Sequence, residues 1–365
     1  MSKIILSKPI INIPETNKIL KYVLKSSFVN EGQQTQRFEN KICKFLNVKF
    51  AVTTTSGTTA LFLALKACGI NNGDEVIIPN ITFPATANAV KMAGGKPVFV
   101  DVNPTNILID EKSLIQKITK KTKFIIPVHI SGRGGNIKKI LKICKNKSIN
   151  IIEDAAEAFG SKVKKKNLGS FGKVGCFSFA PNKIITTGQG GAVVTNNLKI
   201  FKKLKILKDQ GRIGPTTGGE DNYVSTGYNL KFTNLQSSLG LSQMNNLRWR
   251  LNKLIKIHKF YKKNIIENNN FRIIDFDLKN GELPLWTDVW CNNRNKLYKY
   301  LEANDIICRY YWKPLNTNKP FISSFKNLPN SKSLQNKLMW LPSSLTMNTK
   351  QQKKICSLIN LFYSK

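Results

Sequence analysis

Lys183 follows Pro181 at the end of an apolar run, Cys176-Phe-Ser-Phe179, and precedes a second, β-branched run, Ile184-Ile-Thr-Thr187, closed by Gly188, Gly190 and Gly191. Proline cannot continue a strand ladder, so this spacing predicts a lysine on a tight turn between two strands. A lysine held there can act as a nucleophile, because packing fixes its reach and desolvation lowers its pKa. The chain holds 58 Lys and Arg residues, so spacing alone leaves a solvated surface amine as the commoner outcome.

Three other segments carry chemistry by type and order. Thr53-Thr-Thr-Ser-Gly57-Thr-Thr-Ala runs into the apolar residues Leu61, Leu63 and Leu65. A helix start of this kind leaves backbone N–H groups aimed outward, where the helix dipole also favours an anion, although a plain N-cap explains the same residues. Asn150-Ile-Ile-Glu-Asp154-Ala-Ala-Glu157-Ala-Phe-Gly160 ends an apolar strand on two carboxylates. Ligands of open α/β sheets sit beyond the carboxyl ends of strands, where a carboxylate can hold a protonated ring nitrogen. The same acids could instead only complement a helix N-terminus. In Ser225-Thr-Gly-Tyr-Asn229, continuing to Thr233, Asn234 and Leu235, an irregular loop leads to a capped helix.

These segments need a frame. Strand-like and helix-like runs alternate from about residue 50 to 195, with strands at Ile77–Pro79, Pro97–Asp101, Phe124–His129 and Ile149–Asp154. That alternation predicts an α/β fold with a mostly parallel sheet and crossover helices. A long helical stretch from Leu235 to about Asn268 then leads to a smaller α+β region containing Ile306–Arg309 and a C-terminal helix. The expected division is residues 1–240 and 241–365, and no internal repeat is visible.

Taken in order, the segments resemble the sugar-nucleotide aminotransferases of the DegT/DnrJ/EryC1/StrS family, pyridoxal 5'-phosphate (PLP) enzymes of the aspartate-aminotransferase fold, PLP-dependent transferase fold type I. The likeness spans nearly the whole chain, from Ser27-Phe-Val-Asn-Glu31 through Gly73–Phe83 and Pro127–Arg133 to Trp340-Leu-Pro-Ser-Ser344. Within that family, Asn182-Lys-Ile-Ile-Thr-Thr-Gly188 looks like the enzymes that aminate carbon 4 of a 4-keto-6-deoxy sugar nucleotide. A 3-keto acceptor is the alternative.

The resemblance implies that Lys183 attaches the cofactor covalently and later carries a proton, while Asp154 pairs with the ring nitrogen. Glu157 matches a position that is often Gln, near the ring hydroxyl or the reacting nitrogen, although an ionised carboxylate there cannot donate. Phe83 would stack on the ring. The backbone at Gly57, Thr58 and Thr59, with the Ser178 hydroxyl, would hold the phosphate. Asn229 would reach the phosphate from a partner subunit, implying a homodimer with shared sites. His129 matches a position near the cofactor, and Arg212, Arg309 and Lys313 are candidate substrate contacts. By residue type alone those four read equally well as satisfied or solvated groups. His258, in a basic helical stretch, reads as a surface residue. Related 3-dehydratases carry histidine in place of the lysine, so Lys183 favours transamination, with L-glutamate as the implied donor.

The formal charge of +37 raises a second class, nucleic-acid binding. The lysines, however, are spread along the chain among abundant Asn and Ile, without a zinc spacing or helix-turn-helix pattern, which favours a compositional bias. A non-catalytic PLP-binding relative is the third class. The seven cysteines are scattered without a CxxC and fit a reducing cytoplasm, and no metal site is expected. The N-terminal apolar run is too short for a signal peptide, and no segment approaches the ~18 apolar residues of a membrane span.

Overall fold

The computed structural model describes residues 3–145, 147–214, 221–324 and 326–364. Seven strands form the main sheet in the spatial order Phe50–Thr54, Gly191–Thr195, Val174–Ser178, Asn150–Asp154, Thr122–Ile125, Glu75–Pro79 and Lys96–Val100. All run parallel except Gly191–Thr195, which pairs antiparallel with both of its neighbours. Helices cover the sheet, so its central strands are buried along nearly their whole length. The helix Gly57–Cys68 is buried almost all round, from Ala60 to Leu65, against Val52, Ile152, Val174 and Val193.

A second, antiparallel sheet takes the order Phe271–Ile273, Thr287–Cys291, Leu338–Leu341 and Arg309–Tyr310. The helices Leu247–Asn264, Arg294–Ala303 and Thr349–Tyr363 accompany it, with Ile257, Val289, Leu297 and Ile355 in a common core. We propose a division near residue 240 for these two sheets. The N-terminal segment crosses it, since Ile4 bridges to Ile306 and packs in the C-terminal core. Among the described residues no helix is long and apolar enough to cross a membrane.

Two local expectations need correction. The helical stretch after Leu235 is two helices, Asn234–Asn245 and Leu247–Asn264, meeting at Asn246 and ending short of Asn268. His258 is not at the surface. It is 3% exposed and packs edge-on against Phe276. The reason is helical periodicity, because it shares an inward stripe with Leu254, Ile257 and Tyr261. Burial, with Arg133 and Lys262 nearby, lowers its pKa from 6.5 to about 4. A folded pKa below the unfolded one means that the unfolded chain binds the proton more tightly, so stability falls as pH drops from 6.5 toward 4. His258→Leu is expected to remove on the order of 2 kcal/mol of that loss, seen as a flatter dependence of thermal midpoint on pH over that interval. An unchanged pH dependence would contradict it.

Candidate active site

The strand Asn150–Asp154 sends successive side chains to opposite faces, which separates its two acids. Glu153 turns toward the segment Gly169–Gly172. Its carboxylate accepts from the N–H groups of Gly169 (2.8 Å), Phe171 (2.6 Å) and Gly172 (2.6 Å) and lies 2.8 Å from His129 Nε2. Asp154 turns the other way. It accepts from the Thr86 hydroxyl (2.8 Å) and the Ala156 N–H (3.2 Å) and is almost fully buried. Burial pushes its carboxyl above the usual range, opposed by the Thr86 hydroxyl, the Ala156 N–H and the charge of Lys183.

Lys183 sits on a connection between two strands, with its N–H donated to Ala180 O and Gly188 in the left-handed region at φ 78°, but the run Ile184–Thr187 is not the second strand, which begins only at Gly191. Its side chain is 12% exposed, and Nζ lies 3.1 Å from Glu157 Oε1. No helix follows the strand Asn150–Asp154. Glu157 lies in a turn closed by the Ala158 N–H on Ala155 O. Both of its oxygens are occupied, Oε1 also by Trp286 Nε1 (3.3 Å) and Oε2 by the Ser131 N–H (2.8 Å). Glu157, Ser178 and Lys183 line one small cavity.

The helix Gly57–Cys68 opens at its edge. Ser56 and Thr59 form a reciprocal cap, so the Thr59 N–H is taken by Ser56 Oγ at 3.1 Å. By helix geometry the N–H groups of Gly57 and Thr58 have no intrahelical acceptor. Close approach is built in here. A Cβ on Gly57 would lie 2.8 Å from Ser178 Cβ, and one on Gly191 would fall 2.3 Å from the Ser56 carbonyl oxygen. The Phe83 ring is half exposed and stands 5.8 Å from that of Trp312. A buried carboxylate that favours a cation, a lysine, an open helix start and an exposed ring are together the donor set that an anionic pyridine cofactor needs.

The other expected residues sit differently. His129 is buried as the partner of Glu153. Asn229 is exposed, and its backbone bridges to Asp209. Arg212 is engaged by Asp209 (2.7 Å) and Asp221 (2.8 Å) and lines a separate cavity of about 960 Å³ with Glu31 and Lys208. Residues 215–220, which follow Arg212 closely in the chain, lie outside the described residues. Arg309 lies over the Trp340 ring and Lys313 is exposed. Sequence reasoning missed Thr86, Ser131, Arg133, Trp286 and Asp288. The available signal was an acid, Asp288, inside an otherwise apolar strand pattern.

The family model described as the DegT/DnrJ/EryC1/StrS aminotransferase family matches residues 11–360. The GDP-perosamine synthase of Escherichia coli O157:H7 is 35% identical over 96% of both chains, and that of Vibrio cholerae is 33% identical over 95% of this chain and 96% of its own. Among solved structures, the Helicobacter pylori aminotransferase PseC, involved in the biosynthesis of pseudoaminic acid, superposes with a TM-score of 0.92 at 26% identity, covering 100% of both chains.

Glu153 and Glu157 should separate in unfolding experiments. Glu153→Ala strips the acceptor from three backbone N–H groups and is expected to cost on the order of 3–5 kcal/mol in urea unfolding. Glu157→Gln keeps the shape and is expected to cost less than about 2 kcal/mol. Equal losses would contradict these assignments.

Proposed function

The chain belongs to the DegT/DnrJ/EryC1/StrS aminotransferase family, and from that premise we infer a PLP-dependent transfer of an amino group to a nucleotide-linked keto sugar. The observation that carries this reading is Lys183 Nζ against Glu157, beside the buried Asp154. When bound, the cofactor supplies an electron sink and a carrier for the amino group. Lys183 would attach it covalently and, once released, move a proton at the substrate carbon. Asp154, held by Thr86 and the Ala156 N–H, would face the ring nitrogen. A positive partner there relieves the cost of burying that carboxylate. The N–H groups of Gly57 and Thr58, with the Ser178 hydroxyl, would hold the phosphate, while Thr59 serves the helix cap. Phe83 would cover one ring face. Glu157 accepts from Lys183, Trp286 and Ser131, so it would keep the amine oriented.

The relatives named GDP-perosamine synthase support carbon 4 of a GDP-linked 4-keto-6-deoxy sugar as the acceptor, and the family resemblance implies L-glutamate as donor. A homodimer would give cover to exposed apolar residues such as Tyr22, Leu24, Phe28 and Val29 near one end of the chain and Tyr223 and Val224 before Asn229. All seven cysteines are free, in keeping with a reducing cytoplasm. The large positive charge would raise the encounter rate with a nucleotide diphosphate, an effect weakened by salt.

The test is borohydride reduction of the protein with PLP, followed by peptide mapping. Label is expected on Lys183, and Lys183→Ala should lose it together with amination of the keto sugar nucleotide by L-glutamate. Label on another lysine, or amination at carbon 3 in the purified product, would contradict the respective part of the reading.

A further inference from the structure

We propose that Asp288, on the C-terminal sheet, is a positioning residue for the reaction, holding through Ser131 the turn that fixes Glu157 against Lys183. This inference rests on the functional reading above. Asp288 is fully buried on the strand Thr287–Cys291, beside Trp340 of the next strand. One of its oxygens pairs with the Arg133 guanidinium and the other accepts from the Ser131 hydroxyl at 2.9 Å. Arg133 is held by further groups of the C-terminal part. Its Nε donates to Asp275 O (2.9 Å), its Nη2 to Ile274 O (3.1 Å), and it lies 3.8 Å over the Phe276 ring. The ion pair therefore ties the turn after Pro127–His129 to the C-terminal sheet.

Ser131 is the joint. It adopts φ 53°, a region that residues other than glycine seldom enter unless their surroundings impose it. Here every polar group of the residue is committed. Its N–H donates to Glu157 Oε2 (2.8 Å), its hydroxyl to Asp288, and its carbonyl accepts from the Leu285 N–H (3.0 Å). The next residue, Gly132 at φ 102°, admits no side chain, since a Cβ would lie 2.0 Å from Leu283 O. Trp286, two residues before Asp288, reaches Glu157 Oε1 from the same C-terminal segment. Thus the C-terminal part grips both oxygens of Glu157, one through Ser131 and one directly. A buried ion pair is weak evidence for stability as such, and a geometric role accounts better for one joined to the site lysine through Ser131 and Glu157.

The test is a pH titration of the absorption band of the PLP-loaded protein. The charged or titratable groups facing the Lys183–Glu157 contact are Asp154, Asp288, Arg133 and the Tyr311 phenol, with Arg250 and Lys8 lining the neighbouring cavity. Asp288→Asn leaves Arg133 uncompensated and frees the Ser131 turn. Both effects disfavour positive charge on the lysine-linked nitrogen, so the midpoint is expected to fall by about half a unit to one unit. Ser131→Ala keeps the ion pair and should lower the midpoint less, and it decides the matter if Asp288→Asn does not fold. In a Glu157→Gln background the Asp288 substitution should move the midpoint by less than in the wild type, since only the direct charge effect of Arg133 is left. A folded variant that takes up PLP, melts lower and titrates like the wild type would show a structural role only and overturn the proposal. A wild-type protein without any PLP band would overturn the functional reading, and this inference with it.

Discussion

A carboxylate removed from water must be met by donors or by a cation. This chain buries Asp154, Glu157 and Asp288 in neighbouring positions around two cations, Lys183 and Arg133. Asp288 is matched by Arg133 and Ser131, and Glu157 by Ser131, Trp286 and Lys183. Among the described residues, the Asp154 carboxylate receives two hydrogen bonds and the more distant charge of Lys183, and it is held above the usual range. That residual demand for positive charge at the carboxyl end of a central strand is what a protonated ring nitrogen would satisfy.

The scaffold serves this constraint through ordinary strand geometry. Side-chain alternation in Asn150–Asp154 sends Glu153 to architecture and Asp154 to the site, one residue apart. The antiparallel strand Gly191–Thr195 returns the chain so that Gly191 lies against Ser56 and the helix start comes close to Ser178. Lys183 stands on the connection between Val174–Ser178 and Gly191–Thr195, so the lysine, the Gly57 helix start and the acid are carried by neighbouring strands of one sheet. The C-terminal sheet supplies the far wall with Trp286, Asp288, Trp312 and Trp340 nearby.

Legibility in the sequence followed the range of each interaction. The proline before Lys183, the apolar run ending at Asp154 and the alternation over residues 50–195 depend on near neighbours, and the strands appear within a few residues of the expected places. The break at Asn246 and the burial of His258 were harder, because a Lys-rich helix hides its inward stripe. Glu157 was read beside a possible helix, whereas turn bonds at Ala155 and Ala158 place it. The contacts of Asp288 with Ser131 and Arg133 span more than 150 residues, separations of 157 and 155, and no local pattern encodes them.

The most direct test of the central claim is a crystal structure of the protein grown with PLP. The account predicts electron density continuous with Lys183 Nζ, a ring nitrogen within hydrogen-bond distance of Asp154, and a phosphate at the Gly57 helix start beside Ser178. A cofactor seated elsewhere, or one whose ring nitrogen faces no carboxylate, would contradict it.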